Sequence, residues 1–262
     1  MRKLFLICAF LLSALPASAA ITLVPGQVCS YYGGPSAQVF PCVFPNPIGP
    51  HHTAAFFFTA ANGIYYNLPV VTGDSGTPTY ENIGTCSGAG HAFGWASDGM
   101  CFSSFYYLDT GGGTTTITVT NPSGNVAYGV VVGAEFSEAT AIDATGLETC
   151  CNVGTALGAA PSNSITPTSN GDLIVTYNAN LYVTGNPCSA PTGSFIFAVC
   201  YGSGTVCSVG AGHQGAIAYQ VQATAAPITG TWNITGTAGP WVSHIIALHS
   251  AATNVRHKAV VY

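Results

Sequence analysis

Residues 111–143 read GGGTTTITVTNPSGNVAYGVVVGAEFSEATAID, and the reading of this stretch decides the fold. From 114 to 120 the letters alternate, with Ile117 and Val119 on one face and Thr116, Thr118 and Thr120 on the other, the period of two that belongs to a β-strand. From 126 to 136 the chain is apolar almost throughout, and Val130, Val131 and Val132 stand in a row, as expected of a strand covered on both faces. Between them lies Asn121-Pro122-Ser123-Gly124-Asn125. Proline has no N–H for a ladder and glycine tolerates positive φ, so this insert is a turn and the stretch predicts a β-hairpin.

Further strands are predicted on either side, at 53–60 (TAAFFFTA), 101–108 (CFSSFYYL), 172–183 (DLIVTYNANLYV), 194–201, 215–223, 228–236 and 241–250. No helical pattern of ten residues follows position 20. Short strands split by Gly, Pro and Asn turns predict an all-β chain, a single antiparallel β-sandwich or jelly roll over 54–250. Residues 21–53, with six prolines from Pro25 to Pro50, are expected to be a lead-in packed on that domain and holding one edge strand. The Gly-, Ser- and Thr-rich stretch 144–171 is expected to be a long loop, and 251–262 a tail or last edge strand.

Residues 1–20, MRKLFLICAFLLSALPASAA, have the three parts of an export signal: Arg2 and Lys3, an apolar run of 12 residues, and the small residues Ala17-Ser18-Ala19. The run is too short to span a bilayer, which takes about 20 residues. A secreted, extracellular protein with no membrane contact after cleavage is therefore expected. Beyond residue 20 only Arg256 and Lys258 are basic against nine acidic side chains, a net charge of −7. Nucleic acid is excluded as a partner on this ground, because phosphate binding needs clustered Lys and Arg.

Nine cysteines follow the signal, and in an exported chain they read as disulfides. Proximity in sequence suggests Cys29–Cys42, Cys86–Cys101 and Cys200–Cys207, with Cys188 joined to Cys150 or Cys151. A bridge closing a loop of about 15 residues contributes roughly 3 kcal/mol. The odd number leaves one thiol unpaired or joined to another chain. No C-x-x-C spacing occurs, which argues against a zinc ribbon.

Five segments together resemble secreted bacterial β-sandwich domains of the concanavalin A-like or jelly-roll kind, known from cell-surface and phage-associated proteins. They are GTTTITVT (113–120), VVVGAEFSEATAID (130–143), NGDLIVTY (170–177), AYQVQATAAPITGTWNIT (218–235) and WVSHIIALHS (241–250). The resemblance spans roughly residues 54–250. It implies a fold and an extracellular setting, and it carries over no catalytic residue.

Glu135 and Glu138 are the candidate catalytic carboxylates. A spacing of three on a strand turns them to opposite faces with Cα atoms about 10 Å apart, whereas a retaining glycosidase pair needs carboxyl groups about 5–5.5 Å apart. The Glu-x-Asp-x-Glu signature of glycosidases on concanavalin A-like sandwiches is missing. Among the seven histidines, His51-His52 are adjacent, and His244 and His249 are five apart on one strand, so both pairs diverge. No metal and no cofactor is expected. In a run such as Phe56-Phe57-Phe58 one ring is expected to leave the core. Trp232 and Trp241 are assigned to the core, and Tyr31, Tyr32, Trp95 and Tyr107 to sugar stacking. The function expected is non-catalytic: recognition of a carbohydrate or cell surface, or a structural and adhesive role. The alternatives are a polysaccharide-active enzyme and a self-associating subunit of an extracellular polymer.

Overall fold

The structure, a computed structural model, describes residues 21–34, 37–61, 70–74, 79–82, 92–93, 100–109, 112–120, 128–147, 152–181, 190–201, 213–235, 239 and 241–250. Among them the chain forms strands and no helix. In chain order these are β1 (Thr22–Gly33), β2 (Val39–Val43), β3 (His52–Ala61), β4 (Val70–Gly73), β5 (Thr79–Asn82), β6 (Ala92–Phe93), β7 (Met100–Asp109), β8 (Thr116–Thr120) and β9 (Tyr128–Ser137). There follow β10 (Ala139–Leu147), β11 (Asn152–Gly154), β12 (Gly158–Pro161), β13 (Asp172–Leu181), β14 (Ile196–Cys200), β15 (His213–Gln222), β16 (Thr231–Ile234) and β17 (Trp241–Ser250).

All pairings between these strands are antiparallel. One six-stranded sheet runs β1-β9-β3-β7-β5 with β6 on β7, and a second runs β10-β17-β13-β15-β14 with β11 on β17. A three-stranded sheet, β2-β8-β4, and a two-stranded one, β12-β16, complete the set. The two large sheets face each other across a core of Ala55, Phe57, Val130, Val132 and Phe136 from one side and Leu173, Val175, Tyr177, Ile217 and Ile246 from the other. Phe57 and Tyr177 stack across it with ring centroids 4.7 Å apart.

The outer face of each large sheet is covered as well. Phe56, Phe58 and Val131 pack against Phe40, Ile117 and Val119 of the three-stranded sheet. Ile174, Ala218 and Ile245 pack against Ala160, Trp232 and Ile234 of the two-stranded sheet. The described residues thus form four β-layers with three cores. This accounts for the valine run, since successive side chains of β9 point to opposite faces and both faces are buried. It also overturns the expectation for Phe56-Phe57-Phe58: all three rings are fully buried, the middle one in the central core and its neighbours in the outer one.

The hairpin expected across 114–136 is not formed. Its two strands exist near the expected places, yet β8 pairs with β2 and β4 while β9 pairs with β1 and β3. The patterns themselves give the reason. An amphipathic strand with a threonine face suits an outer layer, and a strand apolar on both faces suits an inner one. The lead-in contributes two strands, β1 and β2, where one was expected. The stretch 144–171 holds the end of β10 together with β11 and β12 where a loop was expected.

Cys29 and Cys42 form the expected disulfide, with Cα atoms 5.2 Å apart, and so join β1 of a large sheet to β2 of the sheet covering it. Gly133 on β9 lies beneath: a Cβ there would come within 2.8 Å of the Cys29 sulfur, so only glycine fits. Cys200 is also disulfide-bonded. Cys86, Cys150, Cys151, Cys188 and Cys207 lie outside the described residues, as does the side chain of Cys101.

Asp74, just after β4, accepts hydrogen bonds from the amides of Thr115 and Thr116 at 2.9 Å each and so fixes the entry to β8. Burial pushes its carboxyl up, but the two amide bonds outweigh this and hold it below the ordinary 3.8. A carboxylate depressed in the folded state stabilises the fold above its unfolded pKa, and that contribution is lost as pH falls through the folded value. Asp74→Asn is therefore expected to lower the urea midpoint at pH 7, with the gap from the parent closing below about pH 3.8. A second measurement tests the layering. Phe56→Ala and Phe57→Ala should each cost about 3–5 kcal/mol, whereas a sandwich with one solvated face would lose little from one of them.

Candidate functional site

Three places gather the residues with chemistry. The first surrounds Glu135, near the end of β9, on the face that looks toward the three-stranded sheet. Between Leu23 and Val28 the pairing of β1 with β9 shifts register, and Gly26 takes φ +73° there, which brings Gln27 inward. Gln27 Nε2 donates to Glu135 Oε2 at 2.7 Å and to the Asn46 carbonyl at 2.9 Å, while its Oε1 accepts from the Asn46 amide at 2.9 Å. The Gly49 amide and His52 Nδ1–H both donate to Glu135 Oε1, at 2.9 and 2.5 Å.

Glu135 is 1% exposed and His52 26%. Their register explains the meeting: Ala54 of β3 lies opposite Glu135, and His52 stands two residues along on the same face. Glu138, at φ +60° in the break between β9 and β10, takes no part in this network. The carboxylate pair weighed for catalysis is thus not assembled. Glu135 is buried and accepts from the Gly49 amide, and its histidine partner was not foreseen from the sequence.

The second place joins three adjacent strands of the other large sheet, β10, β17 and β13, at the face turned toward the two-stranded sheet. Asp143 of β10, Asp172 at the start of β13 and His249 near the end of β17 each bring one donor atom within 4.8 Å of the others. His249 Nδ1 lies 2.9 Å from Asp172 Oδ1, and its Nε2 lies 4.0 Å from Asp143 Oδ1. The remaining oxygens are held by the chain just before β13. Asp143 Oδ2 accepts from the Thr168 amide and hydroxyl at 2.5 and 2.9 Å, and Asp172 Oδ2 from the Ser169 amide at 3.3 Å. Burial pushes the Asp172 carboxyl above its ordinary range against the pull of His249, and the charge of Asp143 adds to the rise.

These residues are 29 and 77 apart in sequence; the sequence weighs His249 as a ligand only beside His244, and Asp143 and Asp172 not at all. His244 and His249 do face opposite ways: His244 is fully buried beside the Phe57 ring at 6.4 Å in the central core.

The third place is the outer surface of the three-stranded sheet. Register aligns Val39, Thr120 and Val70 in one row, Pro41, Thr118 and Thr72 in the next, and Val43 beside Thr116. Ile117 and Val119 point inward, so this face consists of valine, threonine and proline, with Val39, Val43 and Val70 each at least half exposed.

Of the aromatics expected to stack sugars, Tyr31 is 37% exposed with its ring edge-on to Phe40. Tyr32 packs on Tyr201 with centroids 5.2 Å apart. Trp95 and the side chain of Tyr107 lie outside the described residues. Trp232 and Trp241 are in the core, as assigned. Compared with known proteins, the chain matches no family model, no curated sequence and no solved structure.

Removing the hub of the first network should be costly, since it strands Gln27, Gly49 and His52 together. Glu135→Ala is expected to lose about 3 kcal/mol and His52→Ala about 1 kcal/mol, read from chemical denaturation. The reverse order would show that the carboxylate is not the hub.

Proposed function

We propose that the protein is a secreted, non-catalytic β-sandwich of the jelly-roll or concanavalin A-like kind, acting in extracellular recognition or construction through its surface. The observation that carries this reading is the valine–threonine face of the three-stranded sheet. Val39, Val43 and Val70 are 50, 56 and 51% exposed in register-aligned rows with threonines. Contiguous exposed apolar groups on a monomer mark places where something docks. Methyl groups interleaved with hydroxyls suit contact with a flat partner, either a glycan-bearing surface or another copy of the chain. Tyr31 extends the candidate contact area for sugar.

The acids support a non-catalytic role. Glu135 is committed to its buried network, Asp74 to two backbone amides, and Asp143 and Asp172 to His249 and the chain before β13.

The double variant Val39→Lys/Val43→Lys tests the reading. Both positions are exposed, so stability should change by less than about 0.5 kcal/mol per site. Retention on a glycan array, or self-association in sedimentation velocity, should appear in the parent and fall at least about tenfold in the variant. Unchanged binding and assembly in the variant would overturn the assignment. Oligosaccharide released from a polysaccharide by the parent would overturn it in favour of an enzyme.

A further inference from the structure

We propose that the outer face of the three-stranded sheet binds ice. Thr116, Thr118, Thr120 and Thr72 supply rows of hydroxyls, and Val39, Val43, Val70 and Pro41 the apolar surface between them. The inference rests on the reading of this face as the protein's contact surface, and it adds crystalline water to the flat partners that surface meets.

Three observations carry it. The first is periodicity. β2 pairs with β8, and β8 with β4, residue for residue and without a register shift. Outward side chains therefore recur about every 6.6–6.8 Å along a strand and about every 4.7–4.9 Å from strand to strand. Thr116, Thr118 and Thr120 sample the first repeat, and Thr118 with Thr72 the second. Both repeats lie close to those of the water oxygens on a prism face of hexagonal ice.

The second is hydrogen-bonding character. Each water of an ice face both donates and accepts, and a rotating hydroxyl matches either role. Among the described residues the hydroxyls of Thr118, Thr120 and Thr72 bond no protein group, whereas that of Thr116 donates to Asp74. The first three are left to water, and they are held at few places because the branched Cβ of threonine restricts χ1.

The third is charge. Ice is neutral, and a charged side chain on the face would orient a water shell of its own in place of the lattice. The outward positions of the three strands hold only Thr, Val and Pro. Asp74, the charged group at their edge, turns its carboxylate oxygens to the amides of Thr115 and Thr116. Residues 4–255 contain no lysine or arginine, so none reaches across from a neighbouring strand. Val39, Val43 and Val70, each at least half exposed, set methyl groups between the hydroxyls.

The test uses the full mature chain. A single ice crystal held just below its melting point in a solution of the protein should develop facets and stop growing. Slow freezing should draw the protein into the ice, which expels an unrelated control protein. Thr118→Lys, at the centre of the lattice, and Thr72→Lys, at its exposed edge, should each abolish faceting and return the protein to the liquid. Thr72→Lys keeps the test readable if Thr118→Lys fails to fold. Asn233→Lys, also exposed but on the two-stranded sheet that covers the other large sheet, should behave as the parent. Ice growth in the parent indistinguishable from that in the control would overturn the proposal. So would entry into ice by both threonine variants, or its loss in Asn233→Lys. A parent that binds glycan or self-associates through Val39 and Val43 while leaving ice growth untouched would overturn this inference alone, and the reading of the face as a contact surface would stand.

Discussion

A pleated strand can bury consecutive side chains only when both faces of its sheet are covered, and five of the described strands impose that condition. β3 carries Ala54 to Phe58, β9 Val130 to Val132, β13 Leu173 to Val175, β15 Ala216 to Ala218 and β17 Ile245 to Leu248, all buried without interruption. Pairing two such sheets face to face satisfies only one side of each. The remaining apolar sides, Phe56 and Phe58 on one sheet and Ile174 and Ile245 on the other, would expose several rings and branched chains at a cost of about 1.5–3 kcal/mol apiece. The small sheets β2-β8-β4 and β12-β16 are the answer. Their own strands are amphipathic, buried on one face and open on the other, so among the described residues the stacking stops at four layers.

The same condition shapes the polar interior. A chain this poor in lysine and arginine cannot balance a buried carboxylate in the usual way. Histidine takes over: His52 meets Glu135, and His249 meets Asp172. Backbone amides supply the remaining bonds, at Gly49, Thr168 and Ser169. Buried neutral groups follow the same economy. The Thr59 hydroxyl bonds the Tyr177 hydroxyl within the central core, and Trp232 Nε1–H donates to Thr176 at 3.2 Å.

Much of the layering was legible in the letters, and its assembly was not. Val130-Val131-Val132 announces a strand with two covered faces, and Thr116 to Thr120 a strand with one. Cys29–Cys42 followed from proximity. What misled was adjacency: with a Pro-Ser-Gly turn between two strands, pairing them is the obvious inference, yet strands of different character belong to different layers. The rings of Phe56, Phe57 and Phe58 were misjudged for the same reason, since a two-layer picture leaves one face wet. The Asp143–Asp172–His249 group was hidden more deeply. Parity alone places His249 with Ile245 and Ala247, and Asp172 with Ile174, on one sheet face. Only the pairing of β13 with β17, which sets Leu173 opposite Leu248, brings those faces together, and no local signal encodes that register.

Long-range register also explains why the outer threonine face is coherent. Thr116, Thr118 and Thr120 would be a single stripe on an isolated strand. The disulfide ties β1 to β2 and the Asp74 carboxylate ties the residue after β4 to the start of β8, so the neighbours on both sides are held in register with the stripe. The devices that close the outer core therefore also set the rows of the exposed face, and loosening either would disorder both. A face tethered in register in this way has less conformational entropy to lose on contact than an untethered one.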